Sequence, residues 1–308
     1  MLAREIISIV EDHLRLTKLQ SELRVNGVNK TYYMKADGWE AYLRLSPNTL
    51  HPDTDLSQEY TLIKYINAHD PCICVKVLLE PFPAELNEGA YTGLLTSVAT
   101  GAGFTGQVSE IQSFAAALAS LHSIDAHQPW PPPAERKRRE EGIKDSTGGK
   151  LGAAIELLES ATSCSDVHPI PLTAVICHGD AWPGNANYGP QSATLFDLEH
   201  SHMGAREFDL ATMAWWLMGQ HDKESAASLW EVFLRTYARG NGVAVAFDLL
   251  PNCILQNELR SLRFMDGWIV LPDSAYADVI SRAETLVDDW QENGPSADQM
   301  RSDGTLRK

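Results

Sequence analysis

The chain has 308 residues, 44% of them hydrophobic and 21% charged, and a formal net charge of −16. That length accommodates two modest domains or one large one, with ample apolar material for a core. The acidic balance argues against a nucleic-acid groove, and no apolar run reaches the roughly 18–20 residues that span a bilayer.

Residues 3–19 have helical spacing. From residue 23 to 46 the period shortens, and two β-rich runs, Lys30–Ala36 and Glu40–Leu45, flank Asp37-Gly38, a hairpin signal. Residues 55–68 return to helical spacing, with Leu56, Tyr60, Ile63 and Ile66 on one face. Strands are expected at Ile73–Leu79 and Tyr91–Val98, so the first 98 residues read as a small sheet with one inserted helix. Thr100-Gly101-Ala102-Gly103 breaks the pattern and reads as a hinge.

Beyond it, Ser109–Ser123 is a helix with apolar Ile111, Phe114, Leu118 and Leu121. Residues 127–150 are rich in Pro, Gly and charge and read as an exposed connection. Their basic cluster, Arg136–Arg139, runs straight into Glu140-Glu141 and reads as solvated. Lys150–Thr162 is helical, Leu172–Ile176 and Ala193–Leu198 are short strands, and four helices follow: Arg206–Gln220, Lys223–Arg239, Ile254–Val270 and Ala275–Gln291. From Asn293 the chain is polar and is expected to be disordered. Five cysteines show no metal-ligand framework, and an odd count in a chain whose start lacks a signal-peptide core fits reduced thiols in a cytoplasm.

The chemistry concentrates between the two short strands, in CHGDAWPGNANYGPQSATLFDLE (177–199). Asp180 follows a strand and precedes Pro183-Gly184, which turns the chain; it reads as a catalytic base. Asn185 offers an amide oxygen and Asp197, at the end of the next strand, a carboxylate, and together they read as ligands of Mg²⁺. An Asp, Asn, Asp order of this kind is what phosphoryl transfer needs: a group to take the proton of an attacking hydroxyl, and oxygen ligands for the metal on a triphosphate. His178 reads as a residue that fixes the loop by hydrogen bonds, and Asp209, at a helix start, as a brace for that loop. Trp182, inside the loop, and Glu199 are candidates to face the acceptor, while Trp215, Trp216 and Trp268 read first as core.

HGDAWPGN (178–185), FDLE (196–199) and GAREFDLA (204–211) together resemble the aminoglycoside phosphotransferase / choline kinase family. The resemblance extends to Asn26–Tyr32, similar to a nucleotide-covering hairpin with Asn29 at its Asn, and to LASLH (118–122). It implies an α+β, bilobal, protein-kinase-like fold: an N-terminal lobe at 1–98, a catalytic and acceptor-binding lobe at 99–292 and a tail at 293–308. It implies ATP and Mg²⁺ as cofactors, Thr96-Ser97-Val98 lining the adenine with backbone groups, and a small-molecule hydroxyl as acceptor, an amine-bearing one being favoured by the acidic second lobe. One departure stands out. Arg44 occupies the place of the family's phosphate-pairing Lys, with Glu59 as its partner, and an Arg can clamp phosphate oxygens bidentately. That departure keeps open a catalytically silent nucleotide-binding protein, and the fold keeps open a Ser/Thr protein kinase. The segment LRSLRFMDGWIV (259–270) is similar to the homoserine-kinase-like and stress-response-kinase branch.

Overall fold

The computed structural model describes residues 2, 4–49, 53–125, 149–163, 174–241, 245–247, 249–269 and 271–293. The exposed connection read at 127–150, with Arg136–Arg139, lies almost wholly outside them, as does the tail beyond Asn293. The fold is mixed α+β, with a β-sheet N-terminal region and a helical C-terminal part, the protein-kinase-like architecture. Two compact units make it up. The first comprises Met1–Gly103 and Ala186–Glu199, the second Phe104–Asn185 and His200–Lys308. The chain thus returns to the first unit for a short excursion, which places Asp180 and Asn185 in one unit and Asp197 in the other. Among the described residues no helix is long and apolar enough to cross a membrane.

The first unit is built on a five-stranded antiparallel sheet in the order β1-β2-β3-β5-β4. Its strands are β1 (Gln20–Asn26), β2 (Lys30–Ala36), β3 (Trp39–Pro47), β4 (Val77–Leu86) and β5 (Gly89–Ser97). Alternation decides its faces. Tyr32, Met34 and Ala36 of β2 and Ala41, Leu43 and Leu45 of β3 are buried, and they share a core with Ile6 and Val10 of α1 (Arg4–Leu14). Arg44, between two buried leucines, therefore points to the opposite face. Helix α2 (Asp53–His69) packs on β4 and β5 and buries Leu56, Leu62, Ile63 and Ile66. Glu59 lies three residues after Leu56 and four before Ile63, so a carboxylate sits in the apolar stripe, where it needs a cationic partner.

Two strands of this sheet differ most from the sequence expectation. β1 reads in the sequence only as the shortened period from residue 23 and the arm leading into the hairpin at Asn26–Tyr32, without bounds of its own; it is an edge strand whose Leu23 and Val25 are exposed. The strand expected at Ile73–Leu79 begins at Val77 and runs on through Pro81 and Pro83. Proline lacks the N–H for a ladder, but β4 closes the other edge of the sheet, where that loss is tolerated. Ile73 and Val75 instead bond Leu195, through Leu195 N to Ile73 O at 2.8 Å and Val75 N to Leu195 O at 3.0 Å.

The returning segment forms a small hairpin of β7 (Ala186–Tyr188) and β8 (Ala193–Leu195). It fastens the stretch read as a hinge. Ala102 and Tyr188 exchange hydrogen bonds of 3.0 and 2.7 Å, and Asn187 donates its side-chain N–H to Ala99 O at 3.0 Å. Gly101 has φ +103°, and a Cβ there would lie 2.2 Å from Tyr188 O, so only glycine fits.

The second unit holds α3 (Val108–His122), α4 (Gly152–Ser163), α5 (Arg206–Gln220), α6 (Lys223–Asn241), α7 (Leu250–Trp268) and α8 (Asp273–Asn293). It also contains the buried strand β6 (Val175–Cys177), paired antiparallel with β9 (His202–Gly204). Leu151, Leu158, Leu255, Leu262 and Val287 form one core cluster of α4, α7 and α8. On the other side α3 meets α6, where Phe233 stacks on Trp230 and Tyr237.

Candidate active site

One cluster of the first unit joins Arg44 to Glu59, Asp197 and Glu199. The Arg44 guanidinium is ion-paired with Glu59, donates to Asp197 Oδ1 at 3.0 Å and lies 3.6 Å from Glu199. Burial alone would lower the Arg44 pKa, but Glu59, Glu199 and Asp197 together raise it above its ordinary value. Asp197 has φ +61°, a left-handed conformation that Asp adopts more readily than most residues and that turns its carboxylate off the end of β8 toward Arg44. Glu199 accepts the Asn29 side-chain N–H at 2.7 Å. Asn29 begins the return from the β1–β2 turn, so that turn is tied to the same cluster. Ser97 closes β5; its N–H donates to Lys76 O at 2.8 Å and its hydroxyl accepts the Lys76 N–H at 2.9 Å. Val98 follows it, half-buried.

The second unit carries the loop after β6. Buried β6 delivers His178 and Gly179 into the interior, and Asp180 emerges with its side chain about a quarter exposed. Gly179 has φ +80°, and a Cβ there would lie 1.8 Å from His200 O. Gly179→Ala is therefore expected to destabilise the protein by about 1–3 kcal/mol and to depress activity; denaturant unfolding checks the first and a rate assay the second. Asn185 donates both of its amide hydrogens to Asp180, to the backbone O at 2.9 Å and to Oδ2 at 2.8 Å. Its amide oxygen is thereby left for another partner. Trp182 donates its indole N–H to Asp180 Oδ2 at 3.3 Å, and its ring covers Gly184. The Trp182 ring lies 6.2 Å from that of Trp216, which meets Phe104 edge-on at 5.5 Å, so an aromatic surface adjoins the loop.

A buried carboxylate holds this loop from below. Asp209, fully buried in α5, accepts the backbone N–H groups of His178 at 2.6 Å and Gly179 at 2.8 Å. It is also paired with His122 Nε2 at 3.0 Å, while His122 Nδ1 lies 2.7 Å from Tyr237 Oη. Burial by itself would raise the Asp209 pKa, but the His122 bond, the neighbouring His178 and the Gly179 N–H outweigh it and hold it below the usual 3.8. His178 accepts the Asp180 N–H at Nδ1 at 3.4 Å and, at its backbone O, the Ser201 hydroxyl at 3.1 Å. Potential ligand atoms of His122, Cys177 and Asp209 lie within 4.8 Å of one another. They do not suit a metal: the Asp209 oxygens are taken by N–H donors, and burial pushes the Cys177 thiol well up, so it donates to Ala205 O at 3.3 Å.

Sequence reasoning missed Arg260. From α7 its guanidinium bonds Gly179 O, Asp180 Oδ1 at 2.7 Å and Asn257 Oδ1 at 3.2 Å. Its only sequence signal was membership of the 259–270 segment, where Arg263 looks equivalent. His122 reads there only as the end of LASLH (118–122), without a role, and Tyr237 is not singled out.

A family model described as the phosphotransferase enzyme family matches residues 22–243. The chain belongs to that family. No curated protein matches this phosphotransferase. Solved structures share its fold. An amicoumacin kinase in complex with AMP-PNP and Ca²⁺ aligns with a TM-score of 0.72 at 13% identity over 95% of each chain. A microcompartment-associated aminopropanol kinase aligns at 0.68 and 15% over 96% of this chain and 99% of its own. A choline kinase from Cryptosporidium parvum Iowa II aligns at 0.62 and 11% over 97% and 99%.

The family resemblance implies Mg²⁺, a hard cation that takes oxygen ligands. The residues of the phosphotransferase fit it. Among the described residues, Glu59, Asp197 and Glu199 bring carboxylate oxygens, the donors such an ion takes, to one cluster around Arg44. Within the first unit, the buried Oδ1 of Asn29 has no hydrogen-bond partner; within the second, both Asn185 amide hydrogens go to Asp180, which leaves its amide oxygen unengaged.

Proposed function

We propose that this phosphotransferase moves the γ-phosphoryl group of ATP to a hydroxyl of a small molecule, with Asp180 as the base that orients that hydroxyl and takes its proton. The setting of Asp180 carries the reading. A part-exposed carboxylate stands on a buried, braced loop with N–H donors fixing both its oxygens. Such a carboxylate presents its remaining lone pair in one direction, which is what positioning a hydroxyl requires. Arg44, set by Glu59, would clamp phosphate oxygens through its planar fork. Asn29 and the Thr96–Val98 backbone would cover and line the nucleotide. Asn185 of the second unit and Asp197 of the first would each give an oxygen to Mg²⁺. Bound Mg²⁺ would neutralise charge on the β- and γ-phosphates.

The acceptor is read as an amino alcohol, an aminoglycoside or a sugar-like compound. The amicoumacin, aminopropanol and choline kinases support that range, and Trp182, Trp216 and Phe104 offer an apolar wall for one face of it. The net charge of −16 speaks against nucleic acid as the acceptor, and the free thiols of Cys72, Cys74, Cys177 and Cys253 suit a cytoplasmic protein.

The test is Mg²⁺-dependent ADP release from ATP across homoserine, choline, ethanolamine, methylthioribose, several aminoglycosides and a protein Ser/Thr substrate, with Asp180→Asn as control. A signal that needs an acceptor and vanishes in the variant supports the reading. Phosphate release without any acceptor would instead indicate a hydrolase. One contact favours a second reading, a silent nucleotide-binding protein: Arg44 already occupies Asp197. ATP-induced thermal stabilisation with no turnover on any acceptor would select it. On the main reading, Arg44→Met is expected to raise the KM for ATP about 10- to 100-fold with little change in the KM for the acceptor. Initial rates at varied ATP check this, and an unchanged KM removes Arg44 from phosphate binding.

A further inference from the structure

The geometry points to Arg260 as the residue that positions the Asp180 carboxylate for proton transfer, an inference that rests on the reading of Asp180 as the base. A carboxylate has about four acceptor sites, two on each oxygen. Oδ2 takes the Asn185 amide N–H at 2.8 Å and the Trp182 indole N–H at 3.3 Å. Oδ1 takes Arg260 Nη2 at 2.7 Å. The site left over is on Oδ1, so the acceptor hydroxyl donates to the same oxygen that Arg260 holds.

Arg260 is itself held in place. Its Nη1 donates to Gly179 O, the carbonyl just before Asp180, so one guanidinium spans the loop backbone and the reacting side chain. Its Nη2 also donates to Asn257 Oδ1 at 3.2 Å. Asn257 is buried, donates to Cys253 O at 2.9 Å and accepts the Thr212 hydroxyl at 3.0 Å. Cys253, Asn257 and Arg260 fall on one face of α7 at spacings of four and three, so the helix aims the guanidinium. The Phe208 ring lies 5.8 Å beneath it. The other ionic cluster nearby, Glu258 with Arg282 at 3.1 Å and the Trp215 indole, is satisfied internally and leaves Arg260 to the loop.

A planar fork does here what an ammonium cannot, because it bonds a backbone carbonyl and a carboxylate oxygen from two nitrogens of fixed separation. Without it, Oδ1 loses its fixed donor and the Gly179–Asp180 peptide loses a tie that Asp209 does not supply, since Asp209 binds N–H groups and Arg260 a carbonyl.

The experiment compares the parent with Arg260→Met, Arg260→Lys, Arg260→Ala and Asp180→Asn. Turnover is read with the best acceptor of the panel and with water alone as acceptor, and hydrogen exchange of residues 178–185 is followed by mass spectrometry. Arg260→Met is expected to lower kcat about 10- to 100-fold with the KM for ATP and acceptor within about threefold, and to speed exchange at 178–185 and not in α3 or α6. Arg260→Lys recovers only part of the rate, and guanidinium ion restores part of it to Arg260→Ala, as a purely packing role would not. Unchanged kcat together with unchanged exchange overturns the proposal, and so does a rise in acceptor KM alone, which makes Arg260 a binding residue. Should Asp180→Asn keep its activity, the base assignment fails by itself, and the exchange data still decide whether Arg260 orders the loop.

Discussion

Asp180→Asn is expected to lower phosphoryl transfer by about 10²–10⁴-fold, the range that a positioned general base supplies. ATP binding should persist, because the charged cluster around Arg44 is built from Glu59, Asp197 and Glu199 and does not involve Asp180. The substitution is nearly isosteric. It keeps an acceptor oxygen for one side of the group and places an NH₂ where the other oxygen faced donors. Whichever way the amide turns, it meets Arg260 on one side or Asn185 and Trp182 on the other. The loop therefore relaxes somewhat as well as losing its carboxylate. Steady-state rates and ATP titration on one preparation separate the two effects: lost turnover with ATP affinity within about threefold is the expected pair. Near-normal turnover would require another group to take the proton.

Asp209→Ala is expected to act on the fold itself. It strips the partner from two backbone N–H groups and from His122, all in the interior, and leaves them without water. Breaking a buried pair in this way costs about 3–5 kcal/mol, or a Tm lower by roughly 10 °C for a protein of this size. The pH dependence has a definite sign. The folded pKa of Asp209 lies below its ordinary 3.8, so its contribution is complete above that value and is lost as pH falls through the lower, folded one. The Tm gap between parent and variant should thus be widest near neutrality and narrow in acid below about pH 4. A gap that widened in acid would contradict the hydrogen-bonding pattern around the carboxylate. Asp209→Asn is the milder comparison, since it retains one oxygen for the loop.

Much of this architecture was legible because the local signals agreed with the tertiary environment. The helix at Arg206–Gln220 has the same bounds in sequence and structure, since an apolar stripe begins and ends it sharply. Lys30–Ala36 likewise keeps its bounds, its alternation matching one buried face. Reading failed where the environment relaxed a rule. The strand expected at Ile73–Leu79 is found at Val77–Leu86, where an edge position tolerates Pro81 and Pro83. At the site, Asp180, Asn185 and Asp197 stand close in sequence and form a pattern. Arg260 lies 80 residues from Asp180, and Tyr237 lies 115 from His122, so their contacts exist only after α7 and α6 have packed. Nothing in the spacing of Arg260 separates it from Arg263, which goes to Glu159 instead.

The excursion of Ala186–Glu199 into the first unit sets an order on synthesis. A chain that has emerged from the ribosome to Gly103 has all five strands of the large sheet but no Leu195 for Ile73 and Val75, and no Tyr188 for Ala102. At ~5–20 residues per second, roughly 5–20 s of translation separate that point from Glu199. Through that interval Arg44 has Glu59 as partner while Asp197 and Glu199 are still to be made. A truncated gene ending near residue 103 would accordingly yield a sheet with one flank open and a charge cluster around Arg44 missing Asp197 and Glu199.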